Sequence, residues 1–438
     1  MEKQKTINKE VSLTGVGLHT GNKVNIKFKP APVDSGINFI RNDLSVSEKI
    51  LAVADNLLPV SRNPRRTSIG KGEIEIHTIE HLLAVLSGLQ IDNIDIEIDN
   101  KEVPGLDGSG WAFWEILTSA GILEQSKPRN YYQVKDAVAV EEEGASIVAI
   151  PSAEFKVSYM LSYSHPQINS QFFEVDINPI SFRNELVKSR TFCLEEESED
   201  LKRQGLGQGA NYENTLVVGK NGVIKNRLRY HDEYVRHKIL DLVGDIYLMG
   251  TPIRAHIIAL RSGHSLNIKL IKKIIEQKER FIVAGVETGT AAVGEGELGI
   301  EEIKEILPHR QPFLFVDKIL YLEKGKRAVG LKYVTKDDYY FKGHFPGKPV
   351  MPGVLIIEAM AQVGGVMMLS LEQNRGKLAY FLAANNVKFR KTVLPGDELI
   401  LEVEVGKLKS KTGLVHSKAM VDSKIVAEAD LMFAIAES

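Results

Sequence analysis

A glycine-rich, acidic stretch, VGEGELGI at residues 293–300, divides the 438-residue chain into two parts of different character. The chain is too long for one ordinary hydrophobic core, because a typical domain holds roughly 150 residues, so two or three folded units are expected. Small and acidic residues without periodicity are typical of a flexible connector. The sequence therefore predicts a linker over residues 291–299.

The same stretch also satisfies G-x-G-x-x-G, the pattern of a dinucleotide-binding loop, through Gly294, Gly296 and Gly299. An apolar run, FIVAGV, precedes the glycines and an acid, Asp317, follows them, as that pattern requires. Against it, glutamates stand between the glycines, where they would repel a pyrophosphate, and the polar stretch ETGTAA separates the glycines from the apolar run. We favour the connector and keep the dinucleotide loop as the alternative.

Composition narrows the class of protein. Hydrophobic residues make up 43% and charged residues 26% of the chain, as in a globular protein. No apolar run approaches the roughly 20 residues of a membrane span, and the N-terminal MEKQKTINKE lacks the apolar core of a secretory signal, so we expect a cytoplasmic protein without a transmembrane segment. The lone cysteine, Cys193, excludes an intrachain disulfide, and a net charge of -2 argues against nucleic acid as a partner.

The residues before the linker alternate between strand and helix patterns. GNKVNIKFKP and NIDIEIDN alternate apolar and polar residues, which predicts strands, whereas HTIEHLLAVLSGLQ and EYVRHKILDLVGDIYLMG have helical spacing. Each predicted helix has a histidine followed seven residues later by a glycine, His81 with Gly88 and His237 with Gly244. This shared spacing suggests a duplicated sheet-and-helix unit with the histidines in related places.

The pattern after the linker is different. GVLIIEAMAQVGGVMMLSLE predicts one long apolar helix, and the segments VKFRKTVLPGDELILEVEVGKL, LVHSKAMVD and KIVAEADLMFAIAE predict strands. A single buried helix wrapped by an antiparallel sheet is the economical arrangement of these elements.

The first candidate site is a group of metal-ligand residues. In VRHKILD, His237 and Asp241 are four residues apart and so lie on one helix face, within reach of one ion. A surface ion pair is the simpler interpretation, and a metal site needs a third ligand, which HTIEH offers in His81 beside Glu80. Zinc with three protein ligands lowers the pKa of a bound water to roughly 7, and a neighbouring carboxylate can then remove the proton.

A second interpretation of HTIEH is open. His77, Glu80 and His81 fit H-x-x-E-H, a motif in which both histidines bind zinc in one class of metallopeptidase. That interpretation needs a further acidic ligand downstream, and it leaves VRHKILD unexplained.

Six segments, SLTGVGLHTG, HTIEHLLAVLSGLQIDN, PGLDGSG, SRTF, VRHKILDLVGD and RSGHSLN, occur in the order and spacing of UDP-3-O-acyl-N-acetylglucosamine deacetylase, the zinc amidase of lipid A synthesis. Residues from about 1 to 290 therefore resemble this family, whose substrate is a UDP-sugar lipid. The resemblance implies two similar sheet-and-helix halves, at 1–125 and 126–290, with an insert at about 193–230 that forms a passage for the acyl chain. In that family the residue at His77 is not a ligand, which disfavours the peptidase interpretation.

The resemblance also implies the chemistry of the site. One zinc ion per chain is bound by His81, His237 and Asp241. Glu80 is the general base, and His264 in RSGHS is the cation that protonates the departing amine, as an amine leaving group requires.

Further residues take supporting roles by the same resemblance. Asp245 keeps His264 charged, Thr191 and Lys238 support the developing oxyanion, and Phe192 contacts the substrate. Arg261 is implied to contact the diphosphate, although the family often has lysine there. The acyl passage would be lined by apolar residues of the insert, for which ordinary core packing is the alternative: Leu201, Leu206, Leu216, Val217 and Val218.

The second candidate site lies in YYFKGHFPGKPVMPGVLIIEAMAQ. His344 stands in a loop held by glycine and proline, and Glu358 lies on the apolar helix, where burial should raise its pKa and let it donate a proton. The pair suits elimination of water from a 3-hydroxyacyl thioester, with His344 as the base and the amide of Gly353 stabilising the enolate-like oxygen. A core glutamate and an unrelated loop histidine are the alternative.

Together with LPHRQPFLFVD and NNVKFRKTVLPGDEL, this stretch resembles 3-hydroxyacyl-[acyl-carrier-protein] dehydratase of the hot-dog fold, from about residue 300 to 438. In that family the histidine and the glutamate of one site come from two subunits, so the resemblance implies at least a dimer, and a hexamer built as a trimer of dimers is common; it implies no metal or organic cofactor. The acyl carrier protein is acidic, and Lys388, Arg390 and Lys391 are candidates to receive it, with a solvated basic face as the alternative.

The sequence thus predicts an α+β protein with two enzymes in one chain. A duplicated sheet-and-helix sandwich of the zinc deacetylase type is followed by the linker and a hot-dog domain. The expected reactions are deacetylation of UDP-3-O-(3-hydroxyacyl)-N-acetylglucosamine and dehydration of (3R)-hydroxyacyl-[acyl-carrier-protein] to the trans-2-enoyl form. A competing hypothesis keeps the deacetylase and makes the hot-dog part a non-catalytic module for oligomerisation or carrier binding.

Overall fold

A computed structural model describes residues 2–45, 48–60, 64–168, 170–283, 298–408, 412–422 and 424–436. The chain separates into two compact units, Met1–Ile275 and Glu276–Ser438. Among the described residues, no helix is both long and apolar enough to cross a membrane.

The first half of unit 1 is a five-stranded sheet with two helices and two short strand pairs. Its strands are β1 (Lys3–Ile7), β2 (Val11–Val16), β3 (Lys23–Pro30), β4 (Ile37–Arg41), β5 (Lys49–Leu51), β6 (Ser68–Lys71), β7 (Ile74–His77), β8 (Ile94–Ile98) and β9 (Ile122–Pro128), and its helices are α1 (Glu80–Leu89) and α2 (Trp111–Ser119). The sheet order is β2-β3-β8-β4-β5. Strand β3 shows why these segments form strands, since alternate residues Val24, Ile26 and Phe28 are fully buried.

The second half repeats this design. Its strands are β10 (Tyr132–Gln133), β11 (Val138–Glu142), β12 (Ala145–Pro151), β13 (Phe155–Leu161), β14 (Gln171–Asp176), β15 (Phe192–Leu194), β16 (Leu216–Gly219), β17 (Gly222–Val223) and β18 (Ile253–Leu260), and its helices are α3 (Pro179–Ser181), α4 (Glu195–Arg203), α5 (Glu233–Tyr247) and α6 (His264–Val283). The sheet order is β11-β12-β18-β13-β14, with β10 beside β18, while β15, β16, β17 and α4 form the insert.

The two sheets have the same connectivity. In each sheet, the central strand is the one that comes last in the sequence among the five strands of the order given above. This strand is parallel to one neighbour, as β8 is to β4 and β18 is to β13, and antiparallel to the other neighbour. The duplication predicted from the histidine-to-glycine spacing is therefore confirmed. Both halves share one continuous hydrophobic core that contains α1 and α5.

The repeated glycines lie where α1 and α5 approach other parts of unit 1 most closely. A Cβ atom on Gly244 of α5 would lie 2.0 Å from the carbonyl oxygen of Glu80 at the start of α1. A Cβ atom on Gly88 of α1 would lie 2.4 Å from the ring of Phe182. Only glycine fits at either contact without a shift of the neighbouring atoms.

Unit 2 is a sheet that curves around one helix. Its elements are α7 (Ile300–Ile306), α8 (Gly353–Leu369), β19 (Lys318–Glu323), β20 (Arg327–Tyr333), β21 (Leu378–Phe389), β22 (Glu398–Leu408), β23 (Thr412–Val421) and β24 (Lys424–Ala436). The sheet has six antiparallel strands in the order β19-β20-β22-β23-β24-β21. Nearly all residues of α8 are buried in its core, which confirms the predicted helix wrapped by a sheet.

Within the ranges that the structure describes, there is no strand where one should precede the glycines of a dinucleotide-binding loop. The apolar run FIVAGV begins inside α6, which extends to Val283, so its described residues are helical and form no strand. Asp317 accepts a hydrogen bond from the backbone amide of Tyr333 at 2.6 Å within unit 2. Gly299 precedes α7, while Gly294 and Gly296 lie outside the described residues.

We predict that Gly244→Ala lowers the free energy of unfolding of unit 1 by about 2 kcal/mol, because the added methyl group overpacks the contact between α5 and α1. Both tryptophans, Trp111 and Trp114, are in unit 1, so urea unfolding followed by tryptophan fluorescence reports on this unit. Gly263→Ala is the matched control, since its Cβ would meet no described atom within 4 Å. Equal stability of the two variants would contradict the prediction.

Candidate active sites

A cavity of about 690 Å³ in unit 1 collects most of the residues predicted for the first site. It lies where the first turn of α1, the middle of α5 and the start of α6 meet. The predicted residues that line it are Glu80, His81, Thr191, Phe192, His237, Lys238, Asp241 and His264. Widely separated segments of the sequence therefore converge on one volume large enough for a small-molecule substrate.

The two histidines and the aspartate form a compact ligand group. One Asp241 oxygen lies 3.2 Å from Nε2 of His237 and 3.4 Å from Nε2 of His81. The Nδ1 atom of His237 lies 3.1 Å from the carbonyl oxygen of Ser189, so it donates there and leaves Nε2 free to bind a metal ion. In the described part of the chain, these three side chains are the group whose ligand atoms, all within 4.8 Å of one another, could hold a metal ion.

His77 is placed elsewhere. It is buried, its Nδ1 lies 2.9 Å from the hydroxyl oxygen of Ser68, and its Nε2 lies 3.3 Å from Glu75. Burial and the nearby charge of Arg66 lower the pKa of His77 to about 4. The H-x-x-E-H interpretation therefore lacks its first ligand, because His77 is outside the group that could hold an ion.

Charges around the ligand group are strongly coupled. Burial by itself would raise the pKa of Asp241, but the neighbouring His237 and Lys238 hold it well below its usual value. Burial would lower the pKa of Lys238, but Asp241, whose Oδ2 accepts a hydrogen bond from Lys238 Nζ at 3.2 Å, raises it above its usual value. The aspartate is thus anionic and the lysine cationic, as a metal ligand and an oxyanion partner require.

Glu80 lies at the first position of α1, beside the ligand His81. Its side chain is buried, and burial raises the pKa of its carboxyl group. One of its oxygens accepts a hydrogen bond from the backbone amide of Thr67 at 3.0 Å. A buried carboxylate with few donors is basic enough to accept a proton.

His264, which lines the cavity, is paired with the buried Asp245. His264 is the first residue of α6, and its Nδ1 donates to an Asp245 oxygen at 2.7 Å. Burial would lower the pKa of His264, but the charge of Asp245, its hydrogen bond and the charge of Glu80 raise it to about 9. The site therefore holds a basic carboxylate and a protonated imidazole around one cavity.

An ion pair holds the SRTF segment against α5. Arg190 Nε donates to Glu233 at 2.8 Å, and both side chains are buried. The following residues, Thr191 and Phe192, therefore face the cavity, and the Phe192 ring lies 5.0 Å from that of Tyr234.

Other predicted residues are placed differently. Arg261 is not among the described residues that line the cavity, and its guanidinium lies near Gly144. In the insert, Leu201 and Leu206 line the cavity. Leu216 and Val218 are fully buried in the core of unit 1, so core packing, the alternative for the insert, describes these two residues.

Three residues at this site were missed by the motif analysis. His19 lines the cavity, and burial lowers its pKa to about 4. Glu102 is buried and accepts hydrogen bonds from the backbone amide of His19 at 2.8 Å and the hydroxyl group of Thr78 at 3.0 Å. Thr67 is buried between Glu80 and Asp245. His19 stood in a quoted segment, but nothing in the spacing of Glu102 or Thr67 signalled a role.

The second site is a cavity of about 360 Å³ at the middle of α8 in unit 2. Glu358 lines it, and one Glu358 oxygen accepts a hydrogen bond from Nε2 of Gln362 at 2.9 Å and lies 3.6 Å from Nε2 of His309. The side-chain oxygen of Gln362 accepts a hydrogen bond from the backbone amide of Phe315 at 2.8 Å. The expectation that the helix buries Glu358 is wrong for a single chain, since its side chain is 25% exposed.

The structure does not bring His344 to that cavity. His344 is absent from the described residues that line it, and its Nδ1 donates to the carbonyl oxygen of Val350 at 2.8 Å, which leaves Nε2 free. Gly353 is the first residue of α8, and a Cβ there would lie 2.7 Å from the ring of Phe389.

A row of apolar side chains is exposed beside this site. The row lies on strand β21, at the edge of the sheet, where the side chains of Tyr380 and Leu382 are 54% and 52% exposed. Further exposed apolar side chains on β21 are Phe381, Val387 and Phe389. Of the predicted carrier contacts, Lys388 and Arg390 both pair with Glu428, at 3.3 and 2.8 Å, and Lys391 is exposed.

Comparison with known proteins gives two family matches along the chain. Residues 4–276 match the family of UDP-3-O-acyl N-acetylglycosamine deacetylase (LpxC), and residues 307–430 match the FabA-like domain. The chain is 39% identical to the bifunctional enzyme LpxC/FabZ of Chlorobaculum tepidum over 99% of this chain and 98% of the relative. It is 35% identical to the protein of the same name from Bacteroides thetaiotaomicron over 100% of both chains. It is also 38% identical to the UDP-3-O-acyl-N-acetylglucosamine deacetylase of Myxococcus xanthus, over 62% of this chain and 86% of the relative.

We predict that His237→Ala removes bound metal from the purified protein, because it takes one of three ligands from the group that could hold an ion. His77→Ala is the matched control, since it removes a buried histidine four residues before His81 that lies outside that group. Elemental analysis of metal per chain is the measurement. Metal loss in the His77 variant and retention in the His237 variant would favour the H-x-x-E-H site instead.

Proposed function

The chain belongs to the family of bifunctional LpxC/FabZ enzymes, and we propose that it carries the two activities of that family on the two sites described above. The first unit hydrolyses the acetamide of UDP-3-O-(3-hydroxyacyl)-N-acetylglucosamine to a free amine and acetate. The second unit, a hot-dog fold, dehydrates (3R)-hydroxyacyl-[acyl-carrier-protein] to the trans-2-enoyl form. The observation that carries the first assignment is the meeting of a metal-ligand group, a basic carboxylate and a protonated histidine in one cavity.

The ligand group fits zinc. Two imidazole nitrogens and one carboxylate oxygen are the donor set of many catalytic zinc sites, and the hydrogen bond from His237 to Ser189 fixes the tautomer that binding needs. One zinc ion held by His81, His237 and Asp241 would supply a Lewis acid that makes a bound water acidic near neutral pH.

The protein groups divide the proton transfers between them. Glu80, whose pKa burial raises, accepts the proton of the water that attacks the acetamide carbonyl. His264 gives a proton from Nε2 to the departing amine, since its Nδ1 is engaged with Asp245. The ammonium group of Lys238 and the hydroxyl group of Thr191, both in the cavity lining, stabilise the negative charge that develops on the carbonyl oxygen.

The remaining surfaces of the cavity orient the substrate. Phe192, Leu201 and Leu206 contribute to the apolar part of the lining, which suits an acyl chain. Arg261 is exposed near the cavity-forming residues Gly263 and His264, so it can meet a diphosphate outside the lining.

We predict that deacetylase activity falls as the pH rises through about 9, because His264 donates a proton only while it is protonated, below its raised pKa of about 9. Asp245→Asn removes the charge that raises this pKa, so the alkaline limb of the kcat profile should move to lower pH by at least about one unit. Asp176→Asn, on an exposed position of β14, is the control. An unchanged alkaline limb in the Asp245 variant would refute the proposed role of the pair.

Elimination in the second unit needs a base and an acid on one substrate. We assign the base to His344 Nε2, which takes the proton next to the thioester carbonyl, and the acid to Glu358, which protonates the departing hydroxyl group. The backbone amide of Gly353, at the start of the 17-residue helix α8, stabilises the enolate-like oxygen. His344 is not among the described residues that line the cavity containing Glu358, which supports a site completed by a second subunit.

The edge of the sheet supplies the surface for such pairing. Strand β21 has 12 residues, exposes apolar side chains and is the outermost strand of its sheet in the described part of the chain, which makes its outer edge a template for pairing with a second chain. Pairing of two copies would cover this row and bring His344 of one subunit toward Glu358 of the other. A dimer is therefore the proposed minimum, and an assembly of dimers such as a hexamer extends it.

We further propose the domain boundaries, the surface that binds the acyl carrier protein and the cellular compartment. The deacetylase halves span 1–125 and 126–290 with the insert at about 193–230, the linker spans 291–299, and the dehydratase spans 300–438. The acyl carrier protein presents the second substrate, and the basic patch that it meets is formed by Lys388, Arg390 and Lys391. A single free thiol, Cys193, fits a reducing compartment such as the cytoplasm.

We predict that His237→Ala abolishes deacetylation and spares dehydration, and that His344→Ala and Glu358→Gln each do the reverse. Mixing the last two variants after dissociation should restore dehydration to about a quarter of the parental rate, because half of the random dimers then hold one intact site of two. A non-catalytic hot-dog module predicts no dehydration in the parent. No recovery on mixing, despite subunit exchange, would refute the shared site.

A further inference from the structure

Thr67 lies between the proton-accepting and proton-donating sides of the first site. It directly precedes β6, its side chain is fully buried, and it is not among the described residues that line the cavity. It therefore has no direct access to a substrate in that cavity, and any effect on the reaction has to pass through its neighbours.

Each polar group of Thr67 makes a hydrogen-bond contact at or next to the first site. Its backbone amide donates to Glu80 at 3.0 Å, and its carbonyl oxygen accepts from the amide of Ile79, immediately before α1, at 3.3 Å. Its hydroxyl group donates to one Asp245 oxygen at 2.5 Å. The hydroxyl oxygen also lies 3.1 Å from Nδ1 of His264.

These contacts define the orientation of His264 and Asp245. The hydroxyl proton engages the first Asp245 oxygen, so the second oxygen is left to accept from His264 at 2.7 Å and from Asn267 at 2.8 Å. The Nδ1 proton of His264 then faces two acceptors, the carboxylate of Asp245 and the oxygen of Thr67. A ring held from two directions has little freedom, and its Nε2 is directed toward the cavity that His264 lines.

We propose that Thr67 is a positioning residue for deacetylation, which fixes His264 and Asp245 through its hydroxyl group and Glu80 through its backbone amide. The proposal rests on the proposed roles of Glu80 and His264. It adds that one residue sets the base and the acid relative to each other, the base through its backbone amide and the acid through its side chain. This matters because small displacements of a proton donor lower the rate steeply.

Thr67→Val tests this directly, since it removes the hydroxyl group, keeps the shape of the side chain and leaves the backbone amide on Glu80. Loss of one charge-assisted hydrogen bond should lower kcat for deacetylation about tenfold. The KM and the zinc content should not change, because Thr67 contacts neither the cavity nor the metal ligands. Thr67→Ser, which retains the hydroxyl group, should restore kcat to within about twofold of the parent.

Thr6→Val is the matched control. Thr6 is also buried, and its hydroxyl oxygen accepts from the backbone amide of Ala31 at 3.1 Å, far in sequence from the site residues. Both valine variants lose a buried hydrogen bond, so both should lose thermal stability. Only Thr67→Val should also shift the Nδ1 proton resonance of His264 in NMR spectra of the labelled protein.

The outcomes are separable. Parental kcat in Thr67→Val, or an equal loss of kcat in both valine variants, would overturn the inference, as would a fall in zinc content that parallels the fall in kcat. Parental activity in His264→Ala would instead refute the role proposed for His264, on which this inference depends. Thr67→Ala gives the same comparison if the valine variant does not fold.

Discussion

The contact between the first turn of α1 and the middle of α5 is the constraint on which the first site depends. Gly244 lets the backbone of α5 approach the carbonyl oxygen of Glu80, where a Cβ atom would be 2.0 Å away. This approach places the rings of His81 and His237 with their centroids 4.9 Å apart. The ligand group is therefore a product of helix packing, and a larger residue at position 244 would separate its two halves.

Buried charge is concentrated around the same contact. Asp241, Glu80 and Asp245 are buried ionisable groups, and Lys238 and His264 lie beside them in the cavity lining, so burial of the carboxylates would be unfavourable without charge pairs or hydrogen bonds. Pairing with Asp245 raises the pKa of His264, the proposed acid, whereas burial raises the pKa of Glu80, the proposed base. The contacts that stabilise these buried charges are therefore also the ones on which the proposed division of catalytic roles depends.

In the second unit, the two candidate catalytic side chains are held by separate parts of the structure. Its candidate acid Glu358 is oriented within one chain by Gln362, whereas the candidate base His344 is held by a backbone carbonyl in a separate loop. The apolar edge strand β21 beside this site is exposed in the single chain. The ligand group of the first candidate site comes from one chain, whereas the geometry of the second candidate site favours completion by association.

The sequence by itself determined the types of the main elements and pointed to most of the predicted residues that line the first cavity, because motif segments such as HTIEHLLAVLSGLQ and VRHKILDLVGD carry both a helical period and chemically specific side chains. It also indicated the duplication, through two equal histidine-to-glycine spacings. Only the tertiary structure decided which apolar residues of the insert face the cavity, that His77 is outside the ligand group, and that Thr67 joins Asp245 to Glu80. These depend on contacts between residues up to 178 positions apart, and spacing along the chain reports only on neighbours within one helix or strand.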